Sequence, residues 1–152
     1  MNENPIFVAV RHGSYTGENL NEAGATQMRK VAEQIRKIKN GGRIVLLCST
    51  APRAKQGGEI LIEELGLQEE NVIFNECLWD DNRHWADVGK VTELVDANLS
   101  GNVVLVTISH LDLIPRMACY VAGKHGHEKS FGESSYGQGW IINSQQCATF
   151  PD

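Results

Sequence analysis

The chain lacks a basic excess, a paired-cysteine motif and any long apolar run, and each absence removes a class of function. Fourteen Lys and Arg stand against nineteen Asp and Glu over 152 residues, a formal net charge of −5. The broad cationic surface that nucleic acid or an anionic membrane demands is therefore not expected. The four cysteines (Cys48, Cys77, Cys119 and Cys147) are scattered without a CxxC spacing, so neither a zinc site nor a disulfide framework is expected. Three of them sit in or beside apolar runs, as buried reduced thiols do. The first apolar run, residues 6–10, is too short for the core of a secretion signal, and no segment is long enough to span a bilayer. The cytoplasm is the expected compartment. Internal repeats and low-complexity tracts are also missing, and no linker-like stretch precedes residue 122. One domain over residues 1–152 is expected. What remains is 41% hydrophobic and 22% charged, the balance of a folded chain large enough to bury a core.

Short apolar runs alternate with segments of helical period, which predicts an α/β domain of three layers. Its central sheet is expected to be mostly parallel and flanked by helices, with a late antiparallel edge strand. Residues 6–10 read as the first strand. A helix is expected from Glu22 to about Lys39, with Ala25, Met28, Val31, Ala32, Ile35 and Ile38 on one face, Asn21 as N-cap and Gly41–Gly42 as its stop. Residues 43–48 form a second strand, continuously apolar over 44–47 as in a strand covered on both faces. Pro52 opens a second helix that Gly66 ends. Residues 72–74 make a third strand, and residues 84–99 a third helix carrying Trp85, Val88, Val91 and Val95. Residues 103–108 make a fourth strand, followed by a helix through Pro115 to about Ala122. Residues 123–138 are a surface loop, and residues 140–143 a last strand.

Three of the strands run straight into a polar cluster containing His or Arg. These clusters are Arg11-His12-Gly13, the segment Ser49-Thr50-Ala51-Pro52-Arg53-Ala54, and Ser109-His110. In a parallel sheet the carboxyl ends share one edge, where ligands bind. Parallel strands would therefore bring together two arginines and two histidines that are distant in sequence. Guanidinium forks match a tetrahedral oxyanion such as phosphate, and imidazoles add a nucleophile and a further hydrogen-bonding group. Each residue alone reads more readily as a surface charge or a satisfied histidine than as a functional group. Their joint placement at successive strand ends points to phosphoryl transfer.

In these residues the chain resembles the histidine phosphatase (phosphoglycerate mutase-like) superfamily. Arg11-His12-Gly13 resembles its signature after the first strand. Leu20-Asn21-Glu22-Ala23-Gly24 is similar to its Leu-Thr-x-x-Gly helix entry. Ser49 to Gln56 resembles its Ser-x-x-x-Arg-Ala-x-Gln segment, and Ser109-His110 its second histidine. The resemblance spans residues 6 to about 116, with a weaker echo at Gly139-Trp140-Ile141-Ile142. It implies a metal-independent phosphatase without a cofactor, hydrolysing phosphomonoesters or phosphohistidine. His12 would be the nucleophile, and Arg11, Arg53 and His110 would bind the phosphoryl oxygens. The partner would be a small phosphorylated metabolite or a phosphohistidine-bearing protein, with no nucleic acid and no membrane.

Many members supply a general acid as the Glu of a Leu-x-Glu segment after the third strand. The matching segment here is Leu78-Trp79-Asp80, which makes Asp80 the first choice, with Asp81 and Glu76 as competitors. Ser14, Gly57 and Leu111 also depart from the commoner residues at their positions and bear on substrate preference. True mutases of the family carry an insertion after the third strand, whereas only about 28 residues separate Phe74 from Val103 here. A short, open phosphatase is therefore favoured. The alternative from another class is a catalytically inactive phosphate- or partner-binding module. His125-x-His127 reads as part of a solvated loop rather than a metal site. Arg83, His84 and Lys124 are expected to form a cationic rim. Trp79, Trp85 and Trp140 are expected to be core or rim packing.

Overall fold

Aliphatic runs become strands here because both sheet faces are covered, and amphipathic segments become the helices that cover them. The computed structural model describes residues 4–38 and 42–151. In chain order the elements are β1 (Ile6–Arg11), a small hairpin of β2 (Tyr15–Thr16) and β3 (Asn19–Leu20), α1 (Glu22–Arg36) and β4 (Ile44–Cys48). Then come α2 (Pro52–Leu65), β5 (Val72–Phe74), α3 (Val88–Asn98), β6 (Val104–Ser109), α4 (Leu113–Lys124), β7 (Gly139–Ile142) and β8 (Cys147–Phe150). The central sheet has the order β5-β4-β6-β1-β7-β8. Its first four strands are parallel, while β7 runs antiparallel to β1 and β8 antiparallel to β7.

Period-two alternation splits the core in two. Val8, Val10, Leu46, Val106 and Ile108 pack with Met28, Val31, Ile35 and Leu61 of α1 and α2. Phe7, Ala9, Leu47 and Leu105 pack with Val91, Val95, Ile114 and Met117 of α3 and α4. The sheet thus lies between two helical layers, as expected. Leu46, Leu47 and Leu105 are all fully buried, and truncating one to Ala would cost about 2–5 kcal/mol.

The helix boundaries follow local chemistry. Asn21 caps α1, its Oδ1 accepting from the Gly24 N–H at 2.9 Å. The helix ends at Arg36, with Lys37 as its C-cap, short of the expected Lys39; Lys39 and Gly41 lie outside the described residues. Pro52 opens α2, and Gly66 closes it in the left-handed conformation at φ 63°. The third helix starts at Val88 rather than His84. The Asp80 and Asp81 side chains accept from the backbone N–H groups of Ala86, Arg83 and His84, and such side-chain bonds compete with helix formation. Asp87 then caps α3 through the Lys90 N–H at 3.2 Å. Trp85 consequently stands in a loop, 82% exposed, and belongs to neither core nor helix face.

Two elements lay outside the sequence reading. The β2–β3 hairpin is too short to show a period. The late antiparallel strand is β7, but the sheet edge is β8, which adds buried Phe150. The approach of α1 to the end of β1 depends on two glycines. A Cβ on Gly13 would meet the Gly24 carbonyl oxygen at 2.6 Å, so backbone packs on backbone there.

Candidate active site

Strand register brings the predicted residues to one edge. Arg11 pairs with Ser109 across β1 and β6, and Cys48 pairs with Ile108 and with Phe74. Beyond the ladders, the His12 N–H donates to the Ser109 carbonyl and the Ser49 N–H to the Ile108 carbonyl, both at 3.0 Å. The segment after β5 is docked to the same edge, because Ser109 Oγ donates to the Leu78 carbonyl at 2.6 Å. A cavity of about 180 Å³ opens there, lined by Arg11, His12, Arg53, Asp80, Asp81 and His110 among others. That is smaller than the roughly 300 Å³ at which drug-sized pockets begin and suits a compact anion.

The imidazole of His12 is 2% exposed, and its Nδ1 lies 2.8 Å from the Gly13 carbonyl. A carbonyl can only accept, so Nδ1 carries the proton and the lone pair sits on Nε2. Arg53 confirms that tautomer by donating from Nε to His12 Nε2 at 3.2 Å. Burial lowers the His12 pKa to about 4, helped by the Arg53 and Arg11 charges and opposed by the Gly13 hydrogen bond. The ring is neutral at physiological pH, and its Nε2 lone pair is engaged by Arg53 at the wall of the cavity.

His110 lies 5.1 Å away between ring centroids. Arg53 Nη2 donates to its Nδ1 at 3.4 Å, which leaves Nε2–H to donate to Ser49 Oγ at 2.8 Å. Ser49 Oγ also accepts from the Ala51 N–H at 3.2 Å, so the start of α2 and His110 share one hydroxyl. Burial, then His12 and Arg53, lower the His110 pKa to about 3, with Asp81 acting in the opposite sense.

The carboxylates separate by environment. Asp80 lines the cavity and accepts from the Ala86 N–H at 3.2 Å. Asp81 also lines it but is saturated. Its Oδ2 accepts from Arg53 Nη2 at 3.0 Å and Trp79 Nε1 at 2.6 Å, and its Oδ1 from the Arg83 and His84 N–H groups at 2.9 Å. Burial alone would raise its pKa. The combined hydrogen bonds from Arg83, Trp79, Arg53 and His84 outweigh that and hold it well below the usual carboxylate range. An ionised, fully engaged carboxylate is a poor proton donor. Glu76 is exposed and lines a neighbouring cavity with Trp79, Arg83, His84 and Trp85 instead.

The expected cationic rim is only partly assembled. His84 stacks on Trp79 at 3.7 Å and reaches Asp81, with Arg83 beside it. Lys124 does not join them, because it pairs with Asp96 of α3 at 2.8 Å at the far end of α4. His127 Nε2 donates to the Asn143 carbonyl at 2.8 Å, so it ties the late loop to the end of β7 rather than standing in solvent. Trp140 meets Phe131 edge to face at 4.9 Å, as packing was expected to.

Several contributors carried no sequence signal. Tyr15 and Asp112 line the cavity. Tyr136, from the late loop, reaches His12 at 5.9 Å between centroids. A tyrosine inside a two-residue strand or a Ser/Gly-rich loop reveals nothing by period, although the spacing of Tyr15 three residues after His12 could have prompted attention.

No protein-family model matches the chain, and no curated protein matches it in sequence. Solved structures do match in shape. The protein histidine phosphatase SixA, complexed with tungstate, superposes with a TM-score of 0.63 at 20% identity, over 95% of this chain and 93% of that one. A phosphoglycerate mutase from Plasmodium falciparum gives 0.62 at 17% identity over 99% and 91%. A mycobacterial glucosyl-3-phosphoglycerate phosphatase gives 0.60 at 18% over 92% and 90%. The chain has the fold of the histidine phosphatase superfamily.

Proposed function

We propose that this chain, with its histidine phosphatase fold, is a metal-independent phosphatase that hydrolyses phosphomonoesters or phosphohistidine through a phosphohistidine on His12. The observation that carries the reading is the neutral His12 ring, its unprotonated Nε2 held by Arg53, in a cavity lined by two guanidiniums. An incoming phosphoryl group takes over the donors that now engage the imidazoles. Arg53 turns from His12 Nε2 to a phosphoryl oxygen, which frees the lone pair for in-line attack. Arg11 and Arg53 then offset the charge spread over the three equatorial oxygens. His110 Nδ1, released by Arg53, accepts a hydrogen bond from a protonated oxygen of the same phosphoryl group.

Water hydrolyses the phosphohistidine in a second step. Asp80 is the proposed acid for the leaving oxygen, since it lines the cavity without the ion pairs that hold Asp81 ionised. Asp112 also lines the cavity and is the competitor for that role. The open cavity gives water ready access, which favours hydrolysis over return of the phosphoryl group to a second acceptor. A phosphorylated metabolite or a phosphohistidine-bearing protein fits the site, as does a location in the cytoplasm. No helix among the described residues is long and apolar enough to cross a membrane.

Release of phosphate from p-nitrophenyl phosphate in the presence of a metal chelator, lost in His12→Ala, is the expected result. Phosphate affinity without turnover in the wild type would mark a binding module instead.

A further inference from the structure

Both arginines of the cavity rest on the face of a tyrosine. The Arg11 guanidinium carbon lies 4.0 Å from the Tyr136 ring centroid, and that of Arg53 lies 4.9 Å from the Tyr15 centroid. The two rings meet each other edge to face at 6.0 Å, and both contact His12, at 5.3 Å for Tyr15 and 5.9 Å for Tyr136. The loops that carry them are tied to the nucleophile's own backbone. Tyr15 pairs with Leu20 in the hairpin, and the Asn21 N–H returns to the Ser14 carbonyl at 3.1 Å. The Gly137 N–H, next to Tyr136, donates to the carbonyls of Arg11 and His12 at 3.0 and 3.1 Å.

We propose that Tyr15 and Tyr136 are positioning residues: each ring carries one guanidinium on its face and sets where that guanidinium meets a phosphoryl oxygen. This rests on the phosphatase reading for its consequence in turnover, although the cradle itself is a statement about oxyanion binding.

The chemistry explains why a ring rather than a carboxylate should do this. A guanidinium's five N–H bonds lie in its plane, whereas a cation–π contact uses its face. The ring therefore fixes the cation without consuming a donor and without neutralising its charge. A carboxylate partner would do both. The need is greatest at Arg11. Among the described residues no carboxylate is within ion-pair distance of it, its Nε is buried without a partner, and its bond to the Ser134 carbonyl is 3.3 Å long. Arg53 has Asp81 on one side, and Tyr15 holds it from another.

The test compares ring-removing with ring-keeping variants: Tyr136→Leu and Tyr15→Leu against Tyr136→Phe and Tyr15→Phe. Each is measured for kcat and KM on p-nitrophenyl phosphate and, by calorimetry, for affinity toward inorganic phosphate, after thermal melts establish folding. Loss of the ring is expected to raise KM and weaken phosphate binding about tenfold, with a smaller change in kcat. The Phe variants should stay within about twofold of wild type. Where a Leu variant does not fold, the Met variant, which fills similar space, takes its place.

Phe variants that fail like Leu would overturn the proposal, since the hydroxyl and not the ring face would then matter. Leu variants that bind phosphate like wild type would overturn it too. If wild type shows no turnover, the phosphatase reading fails, and the order of phosphate affinities still decides the cradle. A wild type that neither turns over nor binds phosphate would sink both.

Discussion

The strand ends and the loop of residues 79–87 border the same cavity under different control. His12, Ser49, Arg53 and His110 are each at most 9% exposed, and backbone ladders of the sheet locate the segments that carry them. The loop is held mainly by its own side chains, through Asp80 and Asp81 accepting from the N–H groups of Arg83, His84 and Ala86. The first region has its geometry imposed by the fold, and the second makes its own. The proposed nucleophile and oxyanion donors should therefore be sharply sensitive to substitution, while the loop should tune proton supply and substrate access more gently.

The largest effect expected is at the nucleophile. His12→Ala should cost roughly 10³-fold or more in kcat on any phosphomonoester, read by phosphate release. Residual activity within tenfold of wild type would break the contrast at its strongest point. Arg53→Ala should follow, at about 10²- to 10³-fold, because it removes a buried, fixed cationic donor from the cavity. It also frees Asp81, so its KM should rise as kcat falls.

In the loop, Asp80→Asn should lower turnover of an alkyl phosphate by about 10²-fold. On p-nitrophenyl phosphate, whose leaving group needs little help, the loss should be below tenfold. The same split produced by Asp112→Asn, with Asp80→Asn silent, would move the acid to the start of α4. Trp85→Ala should change stability by less than about 0.5 kcal/mol, because the ring is 82% exposed. A large drop in melting temperature would mean that the loop is more firmly built than its burial indicates.

The two buried histidines give a prediction in pH. Both ionise near 6.5 in the unfolded chain, but near 4 for His12 and 3 for His110 in the folded one. Between about pH 6.5 and 3 the unfolded state binds more protons at these two rings, so the stability they contribute falls as pH falls through that window and their effect levels off below it. Melting temperatures from pH 7 to pH 4 should decline steadily, and substituting Asn for His110 should flatten part of the decline. Because His12 stays neutral down to about pH 4, kcat/KM corrected for substrate ionisation should show no break near 6.5.

The same contrast separates what the sequence made legible from what it hid. The apolar runs at 44–47 and 104–108 are strands covered on both faces, and their ends could be read directly because the residue that follows a buried parallel strand must lie at the carboxyl edge. His12, Arg53 and His110 were placed at that edge in this way, and they line one cavity. The proposed acid could not be singled out, since Asp80, Asp81 and Glu76 differ in environment and not in spacing. Only the hydrogen bonds from Trp79, Arg53, Arg83 and His84 show that Asp81 is held ionised. The helix expected from His84 begins later for a related reason: its apolar period is real, but Asp80 and Asp81 hold the N–H groups of Arg83, His84 and Ala86 in a turn, and Asp87 supplies the cap from which the helix starts at Val88. Tyr15 and Tyr136 stayed hidden because aromatic residues in short turns carry no period at all.

Rapid quenching of the protein with a labelled phosphomonoester, followed by peptide mapping, decides whether His12 carries the phosphoryl group. The account predicts an acid-labile, base-stable phosphoryl group on His12 that forms before phosphate is released and is absent from His12→Ala. Turnover with no phosphorylated enzyme at any time, or with the label on another residue, would contradict it.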